Sequence, residues 1–220
     1  MMNNKSSLNA SAILTVSHLK RTITHAILVI CTALIVQGCA IAPAPNFSAI
    51  DVTSVEQAKA WELQGKIAVR SATDKFSTNL YWFHQPLGDD LRLTTFIGTT
   101  LLTLKSNQQG AILEADGKTY QNDNAQALLD SMLQISIPLD SLPLWITGQA
   151  NITDEIVSYN ADGTIEALVS NDVNGTWQVA FTRWQQQSGT QVPRLITVKR
   201  NDVSIRIQTN QWQAMQADEK

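Results

Sequence analysis

Few side chains in this 220-residue chain have the types and spacing that catalysis requires. His84 is the one histidine that follows the N-terminal signal described below, and no serine or aspartate signature of a catalytic triad accompanies it. The paired carboxylates Asp89-Asp90 and Asp154-Glu155 lie where turns are predicted, so we interpret them as solvated. No GxSxG, HExxH or P-loop spacing occurs. The sequence therefore indicates a protein that is not an enzyme and that needs neither a cofactor nor a metal.

Cys39 has a different chemistry, because it ends an apolar run that follows two basic residues and no acidic ones. Residues 26–36 offer about 11 apolar positions, or roughly 16 Å of helix, which is too short for a hydrocarbon core of about 30 Å. This order is typical of a bacterial export signal. Val36-Gln37-Gly38-Cys39 resembles the lipobox of bacterial lipoproteins, in which the thiol accepts a diacylglycerol. We predict a cleaved signal over residues 1–38 and an acylated Cys39; the alternative is an ordinary secretory signal with a cysteine near its end.

The stretch after the acylation site lacks periodicity and contains two prolines, so we interpret residues 39–52 as the acylated N-terminus and a tether. In enterobacterial lipoproteins, an aspartate directly after the modified cysteine signals retention in the inner membrane. Ala40 occupies that position here. The sequence thus points to the outer membrane, with the folded part facing the periplasm.

The charge of the mature chain limits its partners. Removal of the signal takes three of the 16 basic residues and none of the 19 acidic residues, which leaves a net charge of −6. This balance argues against nucleic acid as a partner. Because Cys31 leaves with the signal and Cys39 carries the lipid, the folded part has no disulfide and no cysteine-based metal site.

Six tryptophans stay in the mature chain, and large apolar side chains of this kind suit the walls of a site for acyl chains. The alternative for each of them is plain core packing. They are Trp61, Trp82, Trp145, Trp177, Trp184 and Trp212.

The elements that position these side chains are mainly β-strands, because apolar and polar residues alternate with period two from Trp61 onwards. Leu63, Ile67 and Val69 share one face of the first of these strands, and Leu80 and Trp82 share one face of the second. We predict about eleven antiparallel strands, preceded by a short helix from Ser54 to about Ala60 that the capping-box spacing of Thr53 and Glu56 indicates.

The periodicity becomes helical at Asn124, where an apolar stripe predicts a helix of about three turns. The stripe consists of Ala125, Leu128, Leu129, Met132 and Leu133. A second short helix is predicted from Ser141 to Thr147, with Trp145 as its largest anchor. We expect a single domain over residues 53–220, built as a curved antiparallel sheet that forms an incomplete, unclosed barrel, with the helices plugging or capping its concave apolar side.

Three segments carry a resemblance to a known family: Leu93-Thr94-Thr95-Phe96-Ile97-Gly98-Thr99-Thr100, Ile137-Pro138-Leu139-Asp140-Ser141-Leu142 followed by Trp145-Ile146 and Gly148, and Ile205 to Trp212. Together they resemble the LolB family of outer-membrane lipoprotein receptors. The resemblance runs in order from about Trp61 to Trp212. It implies a monomeric acceptor that takes lipoproteins from the soluble periplasmic carrier LolA and inserts them into the outer membrane without ATP.

The resemblance also implies a role for one hairpin. The family carries a protruding leucine at this tip that is needed to put lipoproteins into the membrane, and Ile97 matches its position. Phe96-Ile97 occupies a predicted turn, where polar residues and glycine are expected and where exposed apolar residues cost solubility unless a membrane covers them. The alternative is that both side chains fold back into the core.

Our hypothesis is therefore an apolar cavity for the acyl chains of client lipoproteins and a membrane-insertion loop at Phe96 and Ile97 that contacts outer-membrane lipids. The candidate cavity or plug residues are Leu80, Trp82, Leu129, Met132, Leu133, Trp145 and Ile146. The alternative is a lipoprotein scaffold or assembly subunit that binds another outer-membrane protein. A lipid hydrolase is disfavoured because the sequence has no triad.

Overall fold

The computed structural model describes residues 46–132, 136–173 and 175–218, in which we find twelve β-strands, two α-helices and one 3-10 helix. The strands are β1 (Phe47–Ile50), β2 (Ala60–Arg70), β3 (Lys75–Gln85), β4 (Gly88–Thr94), β5 (Thr100–Asn107), β6 (Gly110–Ala115), β7 (Lys118–Asn122), β8 (Glu155–Tyr159), β9 (Ile165–Asp172), β10 (Gly175–Gln187), β11 (Thr190–Arg200) and β12 (Val203–Ala217). The helices are the 3-10 helix Val55–Gln57, α1 (Ala125–Met132) and α2 (Leu142–Ile146). No helix in these ranges has the length and apolar character needed to cross a membrane.

All strands belong to one antiparallel sheet, in the order β7-β6-β5-β4-β3-β2-β12-β11-β10-β9-β8, with β1 added beside β12. Strands β2 to β7 grow outward by hairpins, the helices follow, and β8 to β12 return along the chain until β12 pairs with β2. Within the described residues, the edge strands β7 and β8 do not pair with each other. The predicted mainly-β fold with an unclosed sheet and inserted helices is confirmed.

The structure has one strand more than the eleven predicted from the sequence, and this additional strand is β1. Residues Phe47–Ile50 fall in the predicted tether, but they pair with the end of β12, from Phe47 opposite Ala217 to Ile50 opposite Ala214. The Phe47 ring packs edge-on against Phe83, with 5.0 Å between the ring centroids. A four-residue strand shows too little alternation to be recognised, and its position depends on the length of β12, which runs for 15 residues.

The helix predicted from Ser54 to Ala60 is also different in the structure, which has a single 3-10 turn there, Val55–Gln57. Gln57 Oε1 accepts hydrogen bonds from the backbone N–H of Thr53 at 3.1 Å and from its hydroxyl at 3.2 Å. Gln57, and not the predicted Glu56, thus reaches back to Thr53, while the N-cap residue Ser54 makes no side-chain capping hydrogen bond. The turn ends early because β2 begins at Ala60 and draws the chain into the sheet.

The sheet curves around a core on its concave side. Inward-facing residues of β2 and β12 alternate with exposed ones, as at Ile205 and Ile207, which flank the exposed Arg206. β12 carries a bulge between Thr209 and Gln211. Opposite this bulge, a Cβ on Gly65 would lie 2.1 Å from the backbone oxygen of Gln208, so only glycine permits this close approach.

The helices cover the concave side of the sheet, with α1 beside β5, β6 and β7 and α2 beside β11. Asn124 Oδ1 accepts a hydrogen bond from Ala127 N–H at 2.8 Å and so caps the start of α1. Leu128 and Leu129 on α1 are buried, and so are Trp145 and Ile146 on α2. Both helices therefore bury their apolar side chains against the sheet, as the sequence predicts.

Candidate functional site

A small apolar cavity lies between the concave face of the sheet and the helices, with a volume of about 60 Å³. Its walls contain only aliphatic and aromatic side chains. They are Ile67, Phe76, Leu80, Trp82, Leu91, Leu93, Leu102, Leu129, Ile137, Leu139, Leu142 and Ile207. A cavity with this lining has no partner for water or for a charged group and can hold only apolar groups.

Period-two alternation positions one wall of the cavity. On β3, Leu80 and Trp82 are two residues apart and point inward, and the same spacing brings Leu91 and Leu93 of β4 to the same face. Strands β2, β5 and β12 add one residue each. This wall is part of a sheet whose neighbouring strands share backbone hydrogen bonds along most of their length.

Trp82, the largest residue in this wall, is held by a carboxylate. Its indole Nε1 donates a hydrogen bond to Asp89 Oδ1 at 2.7 Å, and His84 Nδ1 lies 2.8 Å from the same oxygen. Ser106 accepts a hydrogen bond from Asp89 N–H at 3.1 Å, and the Trp61 ring packs edge-on against Trp82 at 5.6 Å between centroids. His84 thus has a structural partner, whereas Asp89 and Asp90 lie within β4 and not in the predicted turn.

The opposite wall comes from α1 and from the chain that leads into α2. We term residues 125–132 and 136–146 the closing segment; Leu129, Ile137, Leu139 and Leu142 are its contribution to the lining. Gln126 fastens the two parts together, because its Nε2 donates to the Ile137 carbonyl at 2.6 Å and its Oε1 accepts from Leu139 N–H at 2.7 Å.

One further hydrogen bond joins the closing segment to the sheet. Arg200, at the end of β11, donates from Nη2 to the Ser136 carbonyl at 3.3 Å. Its Nη1 lies 2.9 and 3.1 Å from the two carboxylate oxygens of Asp172, and its guanidinium stacks 4.1 Å above the centre of the Trp177 ring. Asp172 and Trp177 therefore fix the arginine in the orientation that reaches Ser136.

The sequence analysis identified neither Gln126 nor Arg200. A weak signal exists for Arg200, because it shares the parity of Ile196 and Val198 on β11 and must therefore point inward with them. Gln126 gives no such signal, since its partners lie in an irregular stretch that no periodicity describes.

The structure divides the predicted cavity residues into four groups. Leu80, Trp82 and Leu129 line the cavity, while Met132 is half-buried against the core beside it. Trp145 and Ile146 are fully buried and belong to the core under α2, outside the cavity lining. Leu133 and the predicted acylation site Cys39 lie outside the described residues.

The predicted loop between β4 and β5 projects from the sheet. Phe96 is 92% exposed and Ile97 is 74% exposed, so neither folds back into the core. The turn itself is ordered by hydrogen bonds from Gly98 N–H to the Thr95 carbonyl at 3.0 Å and from Thr95 N–H to the Thr99 carbonyl at 2.8 Å. Gly98 has φ +90°, which side chains rarely adopt. We term residues 95–99 the tip.

The cavity reaches the surface at the end of the sheet where the tip lies. We term this the tip end; β2, β4, β6, β9 and β11 finish there. Phe76, the second residue of β3, lies at this end, lines the cavity and is 38% exposed, so it stands at the mouth. Leu93 and Leu102, at the base of the tip, line the same cavity.

Comparisons with known proteins show the family to which this sequence is similar. Residues 59–212 match the LolB family, described as outer membrane lipoprotein LolB. The chain is 61% identical over 187 residues to the outer-membrane lipoprotein LolB of Shewanella frigidimarina, which covers 85% of this chain and 92% of that protein. It is 51% identical, with the same coverage, to the protein of that name from Shewanella denitrificans. A LolA superfamily protein from Nitrosomonas europaea aligns with 72% of this chain and 87% of its own, at 8% identity and a TM-score of 0.40.

Proposed function

The chain belongs to the LolB family of outer-membrane lipoproteins, and we propose that it receives other lipoproteins through its apolar cavity and inserts them into that membrane. Family membership confirms the resemblance to LolB found in the sequence and the predicted location at the outer membrane. The proposal adds the route: acyl chains pass from a soluble LolA-type carrier into the cavity and then into the bilayer, without ATP and without any enzymatic step.

The observation that carries the proposal is the position of the cavity relative to the tip. A cavity lined only by apolar side chains opens at the same end of the sheet as two exposed apolar residues, Phe96 and Ile97. Acyl chains have no polar groups to satisfy, so they fit such a lining. A chain that leaves the cavity past Phe76 emerges beside the tip.

The closed cavity is smaller than its cargo. Its volume of about 60 Å³ is several times smaller than the roughly 300–1,000 Å³ of typical ligand pockets, so the closing segment must move outward when an acyl chain enters. That movement breaks the hydrogen bond of Arg200 to the Ser136 carbonyl, worth about 0.5–1.5 kcal/mol, whereas the two hydrogen bonds of Gln126 lie within the closing segment. Since each buried methylene contributes about 0.8 kcal/mol, about one or two methylenes offset this cost.

Direction in this scheme follows from affinity. The cavity must hold acyl chains more tightly than the carrier does and less tightly than the bilayer, and each difference is one of buried apolar contact. The cost of displacing the closing segment lowers the affinity of the cavity for acyl chains relative to that of the bilayer, because the bilayer has no such segment to displace.

The tip acts at the last step. Burying one large apolar side chain gains about 1.5–3 kcal/mol, so Phe96 and Ile97 enter the lipid leaflet without anchoring the protein by themselves. Anchoring is the task of the lipid on Cys39. The tip instead brings the cavity mouth to the membrane and perturbs the leaflet where the cargo leaves.

The experiment is to replace Ile97→Glu and to follow a fluorescent lipoprotein from the carrier to this protein and then into liposomes. We expect the first transfer to stay unchanged and the second to fall by at least tenfold, because a buried carboxylate carries a penalty of several kcal/mol. Leu87→Glu is the matched control, since Leu87 is an apolar turn residue, 58% exposed, at the opposite end of the sheet. Equal insertion by the two variants would refute the role of the tip and favour the scaffold alternative.

A further inference from the structure

The exposed apolar side chains of this protein are concentrated at the tip end. Among the described residues, the four most exposed large apolar side chains are Ile152 and Val173, each 99% exposed, Phe96 at 92% and Ile97 at 74%. Val173 follows the end of β9, and Ile152 lies in the turn before β8. Three separate turns therefore present apolar residues to solvent, although the sequence analysis singled out only one.

Strand register places these turns at the same end. Glu155, at the start of β8, is opposite Val169 near the end of β9, which is opposite Gln178 near the start of β10. Ile152 and Val173 thus lie just beyond the same end of their strands. In the other half of the sheet, Thr94 of β4 is aligned with Asn79 of β3, and the tip follows Thr94 directly.

A row of cations crosses the outer face of the sheet between these turns. Lys199 of β11 is opposite Ser204 of β12, Ser204 is opposite Arg70 of β2, and Arg70 is opposite Lys75 of β3. Arg206 lies two residues along β12 on the same face. These side chains line an open groove of about 570 Å³ at the tip end.

Among the described residues, the cations of the groove are not held in ion pairs. None of Arg70, Lys75, Lys199 and Arg206 forms an ion pair within the part of the chain that the structure describes. The groove contains one carboxylate, Asp202, which accepts a hydrogen bond from Ala72 N–H at 3.1 Å.

Direct opposition of Arg70 and Lys75 is unfavourable, because like charges on facing residues of neighbouring strands repel. An anion in the groove would relieve this repulsion, and the hydroxyls of Ser77 and Ser204, which also line the groove, offer it further hydrogen-bond donors. A mature chain with a net charge of −6 thus places four of its cations together at one end of the sheet.

We propose that this groove binds the phosphate groups of anionic phospholipids in the membrane that the tip contacts. The surroundings of the groove select a lipid over a free anion, because apolar turns flank the groove on both sides. Since β2 lies two strands from β4, or about 10 Å, the groove and the tip reach one surface together. Phe76 lines both the groove and the cavity, so headgroups held in the groove would lie beside the cavity mouth. The inference rests on the proposed function for its membrane-facing orientation.

The test measures the protection of groove lysines in the full-length acylated protein, reconstituted into vesicles of phosphatidylcholine with or without phosphatidylglycerol. A membrane-impermeant amine reagent modifies exposed lysines, and mass spectrometry gives the rate at each site. We expect modification of Lys75 and Lys199 to slow by about fivefold when phosphatidylglycerol is present, and high salt to remove the effect. Lys105 is the internal control, because its side chain is 63% exposed and pairs with Asp90 towards the other end of the sheet.

A variant tests whether the cations act together. Lys75→Glu should abolish the protection of Lys199, whereas Lys105→Glu should leave it intact. Equal rates in the two kinds of vesicle would overturn the proposal, and so would equal protection by inorganic phosphate with phosphatidylcholine vesicles, which would make the groove a site for free anions. The assay contains neither cargo nor carrier, so its outcome is independent of whether delivery itself proceeds as proposed.

Discussion

The sheet wall and the closing segment enclose one cavity, but they are held in place in different ways. The wall belongs to a twelve-stranded sheet. Within it β2, for example, pairs along its length with β12 on one side and with β3 on the other. The closing segment is joined to β11 by the side-chain hydrogen bond of Arg200, and its own two parts are joined by the two side-chain hydrogen bonds of Gln126. Elements with few such bonds open at lower free energy than the core does, so the difference identifies the closing segment as the part that moves.

The two walls also differ in what a substitution would do. A change in the sheet wall removes contacts that exist only in the folded state, so its cost appears in the global free energy of unfolding. A change in the fastening of the closing segment alters the balance between closed and open forms while the sheet stays intact. Variants of the sheet wall should therefore lower the global free energy of unfolding, whereas variants of the fastening should change the local opening of the closing segment.

The largest effect is expected for Trp82→Ala. Trp82 is 1% exposed, packs against Trp61 and lines the cavity, so its removal should lower the free energy of unfolding by about 3–5 kcal/mol. Urea denaturation followed by circular dichroism measures this loss. A loss below about 1 kcal/mol would mean that the sheet wall is as adaptable as the closing segment and would contradict the comparison.

A second prediction concerns the carboxylate behind that tryptophan. Asp89→Ala leaves the Trp82 N–H without its acceptor and should cost about 1–3 kcal/mol of global stability. Asp90→Ala is the matched control, because its contacts with Arg92 and Lys105 are 3.9 and 3.7 Å long and partly exposed, so its loss should cost at most about 1 kcal/mol. Similar losses for both variants would show that the network around Trp82 adds nothing to the rigidity of the wall.

The sheet wall could be predicted from the sequence and the fastening of the closing segment could not. Alternation is a local property, so the inward-facing Leu63, Ile67 and Val69 were assigned correctly, and all three are buried. The hydrogen bonds of Gln126 join residues 11 and 13 positions apart across an irregular stretch, where no pattern gives the geometry.

Long-range register explains what else the sequence analysis missed. β1 depends on the far end of β12, 170 residues away between Phe47 and Ala217, and no local pattern announces that pairing. The cation groove depends on the alignment of four strands, of which β2 and β3 are early in the chain and β11 and β12 are late. The tip was predicted because its signal is local: two bulky apolar residues stand where a turn is expected.

A third prediction tests the closing segment directly. Gln126→Ala removes two hydrogen bonds and should speed amide hydrogen exchange of Leu139 by about 5- to 150-fold, which corresponds to about 1–3 kcal/mol. Global stability should fall by less than for Trp82→Ala. Gln121→Ala on the edge strand β7 is the control, since Gln121 is exposed, and exchange at Leu139 should be unchanged in it. A fall in global stability equal to that of Trp82→Ala would mean that the closing segment unfolds only with the sheet.

The smallest effect is expected for Arg200→Lys, which separates the two fastenings. Lysine keeps a positive charge beside Asp172 but lacks the second nitrogen that reaches the Ser136 carbonyl, so one hydrogen bond worth about 0.5–1.5 kcal/mol is lost. Exchange in the closing segment should accelerate by about 2- to 10-fold, less than in Gln126→Ala. A larger acceleration in Arg200→Lys would show that the hydrogen bond to the sheet, through β11, limits opening more than the bonds within the closing segment do. Opening would then begin at the tip end, where Arg200 lies, and acyl chains would enter beside the same turns past which they leave.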